Sequence, residues 1–121
     1  MRLLIVEDEK QICDAVAKSL YDAGYEVDTC YDGEEALEYI LTENYDLIVL
    51  DLNLPGMDGI TATKTIRSLK HPDAETIPII AMTANAFRED KEKCLAAGMN
   101  AHLAKPIKIK NIKRILCEYC V

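Results

Sequence analysis

The chain has 121 residues, half of them apolar, and a formal net charge of −7 at pH 7, which fits one domain spanning residues 1–121 with a true core. That acidity argues against general polyanion binding, so no direct nucleic-acid contact is expected. No apolar run nears the roughly 20 residues that cross a bilayer, so no membrane role is expected either.

The first apolar run, Leu3-Leu4-Ile5-Val6, reads as a strand buried on both faces and ends in Glu7-Asp8. It is too short for a secretory signal, and a cytoplasmic location is expected. Ile12, Ala15, Val16 and Leu20 then share a helix face, with Gly24 as the stop. Residues 25–30 alternate apolar and polar, as a half-exposed edge strand does. Asp32, followed three residues later by Glu35, caps a second helix that carries Leu37, Ile40 and Leu41. Residues 47–50 form another buried strand, and a third helix is expected over about 59–69. A strand over 77–82 has Pro78 near its start. A fourth helix is expected over about 85–97, stopped by Gly98, and a short edge strand over 101–104. Ile112, Ile115, Leu116 and Tyr119 give the last helix its stripe. Tyr21 and Phe87 read as helix packing.

Strands alternating with helices predict a five-stranded parallel sheet with right-handed crossovers and helices on both faces, the doubly wound α/β class. Two edge-like strands around three buried ones give the order 2-1-3-4-5, the flavodoxin-like arrangement. Ligands of such sheets bind outside the carboxyl ends of the strands, at the switch point between strands one and three.

The five cysteines, Cys13, Cys30, Cys94, Cys117 and Cys120, are odd in number and scattered. They do not form a disulfide framework. Cys117 and Cys120 have C-x-x-C spacing but no second pair, so reduced thiols are expected rather than a zinc or redox site.

The polar residues that end the strand runs all fall at carboxyl ends. Glu7 and Asp8 follow the first strand, Asp51 and Asn53 the third, Thr83 the fourth and Lys105 the fifth. Crowded carboxylates repel unless a cation intervenes, and an oxygen-rich site suits Mg²⁺. A carboxylate nucleophile, a metal, a hydroxyl and an ammonium together make a phosphoryl-transfer site. At rest, Lys105 can pair with Asp51.

Five stretches carry a resemblance that extends over nearly the whole chain. They are Ile5-Val6-Glu7-Asp8-Glu9, Tyr31-Asp32-Gly33-Glu34-Glu35-Ala36-Leu37, residues 46–59 around Leu50-Asp51-Leu52-Asn53, Pro78-Ile79-Ile80-Ala81-Met82-Thr83-Ala84, and residues 97–106 ending in Lys105-Pro106. The chain resembles the receiver domains of two-component response regulators. The resemblance implies that Asp51 accepts a phosphoryl group from the phosphohistidine of a sensor histidine kinase or phosphotransfer protein. It implies Mg²⁺, or Mn²⁺ in its place, held by Asp8, Asp51 and the backbone carbonyl of Asn53, with Glu7 acting through water. Thr83 and Lys105 would contact the phosphoryl group, the Lys105-Pro106 bond would be cis, and Pro55-Gly56 would form a tight loop beside the nucleophile. Phosphorylation would alter the surface of the fourth helix, fifth strand and fifth helix to regulate a partner or attached output domain. Homodimerisation on phosphorylation is a habit of the family. The chain would catalyse its own phosphorylation and dephosphorylation without being a turnover enzyme.

One position departs from the pattern. Many receivers carry Tyr or Phe three residues before the lysine, as a switch partner of the threonine; this chain has His102. An imidazole can rotate between exposed and buried positions, and it titrates near neutrality. Two other readings compete. A phosphohydrolase of the haloacid-dehalogenase type would use Asp51-Leu52-Asn53, but Asn53 lacks the second acid and no cap insertion is present. A pseudo-receiver would bind partners without phosphorylation, against the complete acid, threonine and lysine set.

Overall fold

The computed structural model describes residues 1–54, 56–71, 74–83, 88–105 and 107–119. Strands and helices alternate as β1 (Arg2–Val6), α1 (Lys10–Asp22), β2 (Glu26–Cys30), α2 (Gly33–Thr42), β3 (Leu47–Asp51), α3 (Gly59–Arg67), β4 (Ile79–Thr83), α4 (Arg88–Ala97), β5 (Ala101–Ala104) and α5 (Ile109–Tyr119). The five strands are parallel, in the order β2-β1-β3-β4-β5.

The apolar runs explain the sheet. Every residue of β3 and β4 is buried, whereas β2 is mostly half-exposed and β5 has one fully buried side chain, Leu103. Successive side chains point to opposite faces. Leu3, Ile5, Val49, Ile80 and Met82 meet Leu20 of α1 and Ile112, Ile115 and Leu116 of α5. Leu4, Val6, Ile48, Leu50 and Ala81 meet Ala36 and Ile40 of α2, Ala62 and Ile66 of α3 and Cys94 of α4. Two cores thus form, one on each side of the sheet.

Local sequence sets the helix starts. Asp32 Oδ1 accepts from the Glu35 N–H at 2.7 Å and caps α2. Asp58 Oδ1 does the same for Thr61 at 2.8 Å and caps α3. Gly24 and Gly98, at φ +100° and +110°, turn the chain out of α1 and α4.

Four details differ from the expectation. β4 starts at Ile79 rather than residue 77, because Pro78 has no N–H for the ladder; its carbonyl still accepts from Ile48 N–H at 2.9 Å. α3 ends at Arg67, with Ser68 as its C-cap. Tyr21 does not pack against a helix: it is 71% exposed. Tyr119 continues the α5 stripe only partly, remaining 39% exposed while its hydroxyl donates to Asn100 O at 3.0 Å. The expected start of the fourth helix at residue 85, the Phe87 packing, the Pro55 half of the tight loop, the cis Lys105-Pro106 bond and Cys120 lie outside the described residues. Cys13, Cys30 and Cys94 are buried and Cys117 is exposed, and none of the four is in a disulfide. No described helix is long and apolar enough to cross a membrane.

Candidate phosphoryl-transfer site

The register of the parallel strands brings the polar strand ends together. Val6 pairs with Leu50, so the next residues, Glu7 and Asp51, stand side by side. Thr83 pairs with Ala104, which sets Lys105 at the same end, and Lys105 N–H donates to Thr83 O at 2.8 Å. Asp8 follows at the exposed rim.

Lys105 Nζ lies 3.0 Å from Asp51 Oδ2 and 2.9 Å from Glu7 Oε2. The sequence pointed to the first contact and missed the second. Asp51 is 1% exposed, and its Oδ1 accepts from the Asn53 backbone N–H at 3.1 Å. Glu7 is fully buried. Its Oε1 accepts from Glu9 N–H at 3.3 Å, but its Oε2 has only the ion-pair contact, with no hydrogen bond among the described residues.

These contacts set the protonation states. Burial raises the Glu7 carboxyl to about 7, the adjacent Asp51 pushes the same way, and Lys105 only partly opposes. Burial also works to raise Asp51, but its contacts with Glu7, the Asn53 N–H and Lys105 outweigh it and hold Asp51 below the usual carboxylate range. Burial works against the charge of Lys105; its contacts with the two carboxylates prevail and raise it. Asp51 is therefore an ionised carboxylate at neutral pH, the form a nucleophile needs.

Glu7, Asp8 and Asp51 each offer a carboxylate oxygen, all within 4.8 Å of one another. An all-oxygen donor set with one buried oxygen left without a hydrogen bond fits a hard divalent cation such as Mg²⁺. One ammonium cannot balance three carboxylates.

Thr83 is 4% exposed at the end of β4. His102 is half-buried on β5 and pairs with Ala81. Paired residues of parallel strands share a face, and Ala81 and Thr83 share one by alternation. Thr83 and His102 thus both lie on the α4 side of the sheet.

Glycines bring the surrounding loops close. A Cβ at Gly59 would fall 2.8 Å from Leu52 Cα and would collide with the Asp51 carbonyl oxygen. Only glycine lets α3 begin this close to the Asp51 backbone. Gly56 adopts φ +77° within the same β3–α3 loop.

Comparisons with known proteins agree with this geometry. The family model for the response regulator receiver domain matches residues 3–116. Probable histidine kinase 1 of Oryza sativa subsp. indica is 36% identical over 148 residues, covering 98% of this chain and 15% of that protein. The transcriptional regulatory protein DltR of Streptococcus agalactiae is 45% identical over 106 residues, covering 88% of this chain and 46% of that one. The chain thus spans less than half the length of these curated relatives. The receiver domain of sensor histidine kinase PA1611 from Pseudomonas aeruginosa PAO1, solved with a magnesium ion coordinated in its active-site cleft, superposes with a TM-score of 0.87. It is 40% identical, over 98% of this chain and 95% of that one. With the sheet order, the strand-end acids and the match over residues 3–116 in agreement, the chain belongs to the response regulator receiver domain family of two-component phosphorelay signalling.

Proposed function

We propose that residues 1–121 act as one phosphorylation-controlled switch, with Asp51 as the phosphoacceptor. The observation that carries this reading is the nearly buried Asp51 carboxylate held at 3.0 Å by Lys105 and at 3.1 Å by the Asn53 N–H. The donor is the phosphohistidine of a sensor histidine kinase or phosphotransfer protein in the cytoplasm.

In this account the Asn53 N–H fixes one Asp51 oxygen and leaves the other to attack phosphorus. Lys105 shifts its charge from Glu7 and Asp51 to an oxygen of the incoming group, and the Thr83 hydroxyl donates to another. Asp8, Asp51 and the Asn53 carbonyl would hold Mg²⁺ (or Mn²⁺), with Glu7 behind them through water. The bound cation supplies charge neutralisation for the phosphoryl oxygens. When Thr83 turns toward the phosphoryl group it vacates space on the α4 side of the sheet. His102, on that same face, then changes rotamer and alters the surface of α4, β5 and α5 for a partner, an output domain or a second copy.

The site does not favour a turnover phosphatase. The backbone N–H of Asn53 is committed to Asp51, and its amide side chain supplies no general acid. Incubation with acetyl phosphate and Mg²⁺, followed by intact-mass measurement, tests the reading. One phosphoryl group per chain that requires Mg²⁺ supports it. No adduct favours a binding module without phosphorylation, and continuous phosphate release favours a phosphatase.

A further inference from the structure

A pocket of about 320 Å³ opens beside the phosphoacceptor. Asn53 and Thr83 line it from the strand ends, Asp58 and Thr61 from the start of α3, and Lys93 from α4. It is linked to Asp51 through Asn53, which lines the pocket and whose backbone N–H donates to Asp51 Oδ1 at 3.1 Å.

The charges around this pocket are unevenly committed. Asp58 is tied to the α3 terminus through the Thr61 N–H, and Lys105 is tied to Glu7 and Asp51. Lys93 is exposed and has no ion pair or hydrogen bond among the described residues. Among the described residues it is an unpaired cation on the wall of a polar pocket close to Asp51, whose ammonium partner Lys105 is shared with Glu7.

In-line transfer sends the leaving group away from Asp51, toward the open side of the site. With an acyl phosphate, an Asp51 oxygen forms a bond to phosphorus and the bond from phosphorus to the bridging oxygen breaks. The electron pair leaves with that oxygen as a free carboxylate, and no proton is needed. With a phosphoramidate protonated on nitrogen, the phosphorus–nitrogen bond breaks instead, the electron pair goes to that nitrogen, and it leaves as a neutral amine carrying the proton it brought. The two donor classes therefore differ in the charge they send out.

Building on the phosphoacceptor reading above, we propose that Lys93 is a specificity-determining residue that receives the departing carboxylate of small acyl phosphate donors. It favours them over donors with a nitrogen leaving group. Its reach from α4 into the pocket makes that preference a property of this chain's fourth helix rather than of the Asp51, Thr83 and Lys105 set.

The test compares Asp51 phosphorylation rates with subsaturating acetyl phosphate and with phosphoramidate, read by intact mass with Mg²⁺ present. The proteins are the full chain, Lys93→Gln and Lys93→Arg. Lys93→Gln slows the acetyl phosphate reaction about fivefold, as expected for one partly solvated ion pair. It leaves phosphoramidate within about twofold, and Lys93→Arg restores the acetyl phosphate rate. The acetyl phosphate effect shrinks at high salt. Equal slowing of both donors would overturn the proposal and assign Lys93 to neutralising Asp58; no change with either would overturn it as well. Absence of any adduct on the parent chain is a separate outcome, which overturns the phosphoacceptor reading and this proposal with it.

Discussion

The ammonium of Lys105 stands 2.9 Å from Oε2 of Glu7, a side chain with no solvent exposure. The same ammonium reaches Asp51 at 3.0 Å, so one cation serves two buried acids from neighbouring strands. Removing it leaves both carboxylates without a counter-charge, a costly change in a site this dry. Lys105→Met is expected to lose about 2 kcal/mol in urea unfolding without metal, below the full buried-pair cost because Lys105 is partly solvated. Added Mg²⁺ should narrow the gap. Equal stability of the two proteins in EDTA would contradict the electrostatic account.

Metal binding should itself stabilise the fold. A ligand at one hundred times its Kd adds about 2.7 kcal/mol. Mg²⁺ is expected to raise the Tm of the parent chain in a concentration-dependent way and to leave Asp8→Ala nearly unmoved. A similar rise in both would place the ion elsewhere.

Gly59→Ala tests the close approach of α3 to the Asp51 backbone. The added methyl meets the Asp51 carbonyl and Leu52 Cα, both backbone atoms that cannot swing aside. Destabilisation of about 2 kcal/mol is expected, as for an overpacked core. Slower phosphorylation should accompany it as Asp51 shifts. A neutral substitution would show that the loop moves freely.

The buried thiols give a pH signature. Burial raises the Cys13 thiol from 9.0 to about 12, and burial raises Cys30 as well. Between pH 9 and 12 the unfolded chain loses the Cys13 proton while the folded chain keeps it, so folding becomes less favourable as pH rises. The stability is fully present below pH 9 and falls by about 2 kcal/mol from pH 9 to 11 for Cys13 alone. The urea midpoint of the parent should fall more steeply over that range than that of Cys13→Ala. Parallel slopes would contradict it. At pH 8, alkylation should modify the exposed Cys117 and spare Cys13, Cys30 and Cys94 until urea unfolds the chain.

Much of the fold and most of the site lay in local sequence. The continuous apolar runs of β1 and β3, the alternation of β2 and the Asp32 cap are short-range patterns, and they recur in the structure. The strand-end position of Asp51, Thr83 and Lys105 followed from the strand assignments alone. What local pattern could not give depends on register and side-chain reach. Lys105 meets Glu7 only because β1 and β3 align Val6 with Leu50. Arg67 donates to Gly98 O and Asn100 Oδ1, which are 31 and 33 residues away, and so ties the end of α3 to the start of β5. At the opposite end of the sheet, Arg2 and Tyr45 converge on Asp28 Oδ2, both at 2.7 Å. Neither cluster has a sequence signal, since each draws single residues from separate elements. The ammonium of Lys93, unpaired among the described residues and lining the same pocket as Thr83, is of the same kind.

The most direct test of the central claim is to locate the phosphoryl group. Borohydride reduces an aspartyl phosphate to homoserine, so the phosphorylated residue can be read by peptide mass spectrometry after treatment with acetyl phosphate, Mg²⁺ and borohydride. The account predicts homoserine at position 51 in the parent chain and at no position in Asp51→Asn. Homoserine at another acidic residue of the parent, or an unmodified chain, would contradict it.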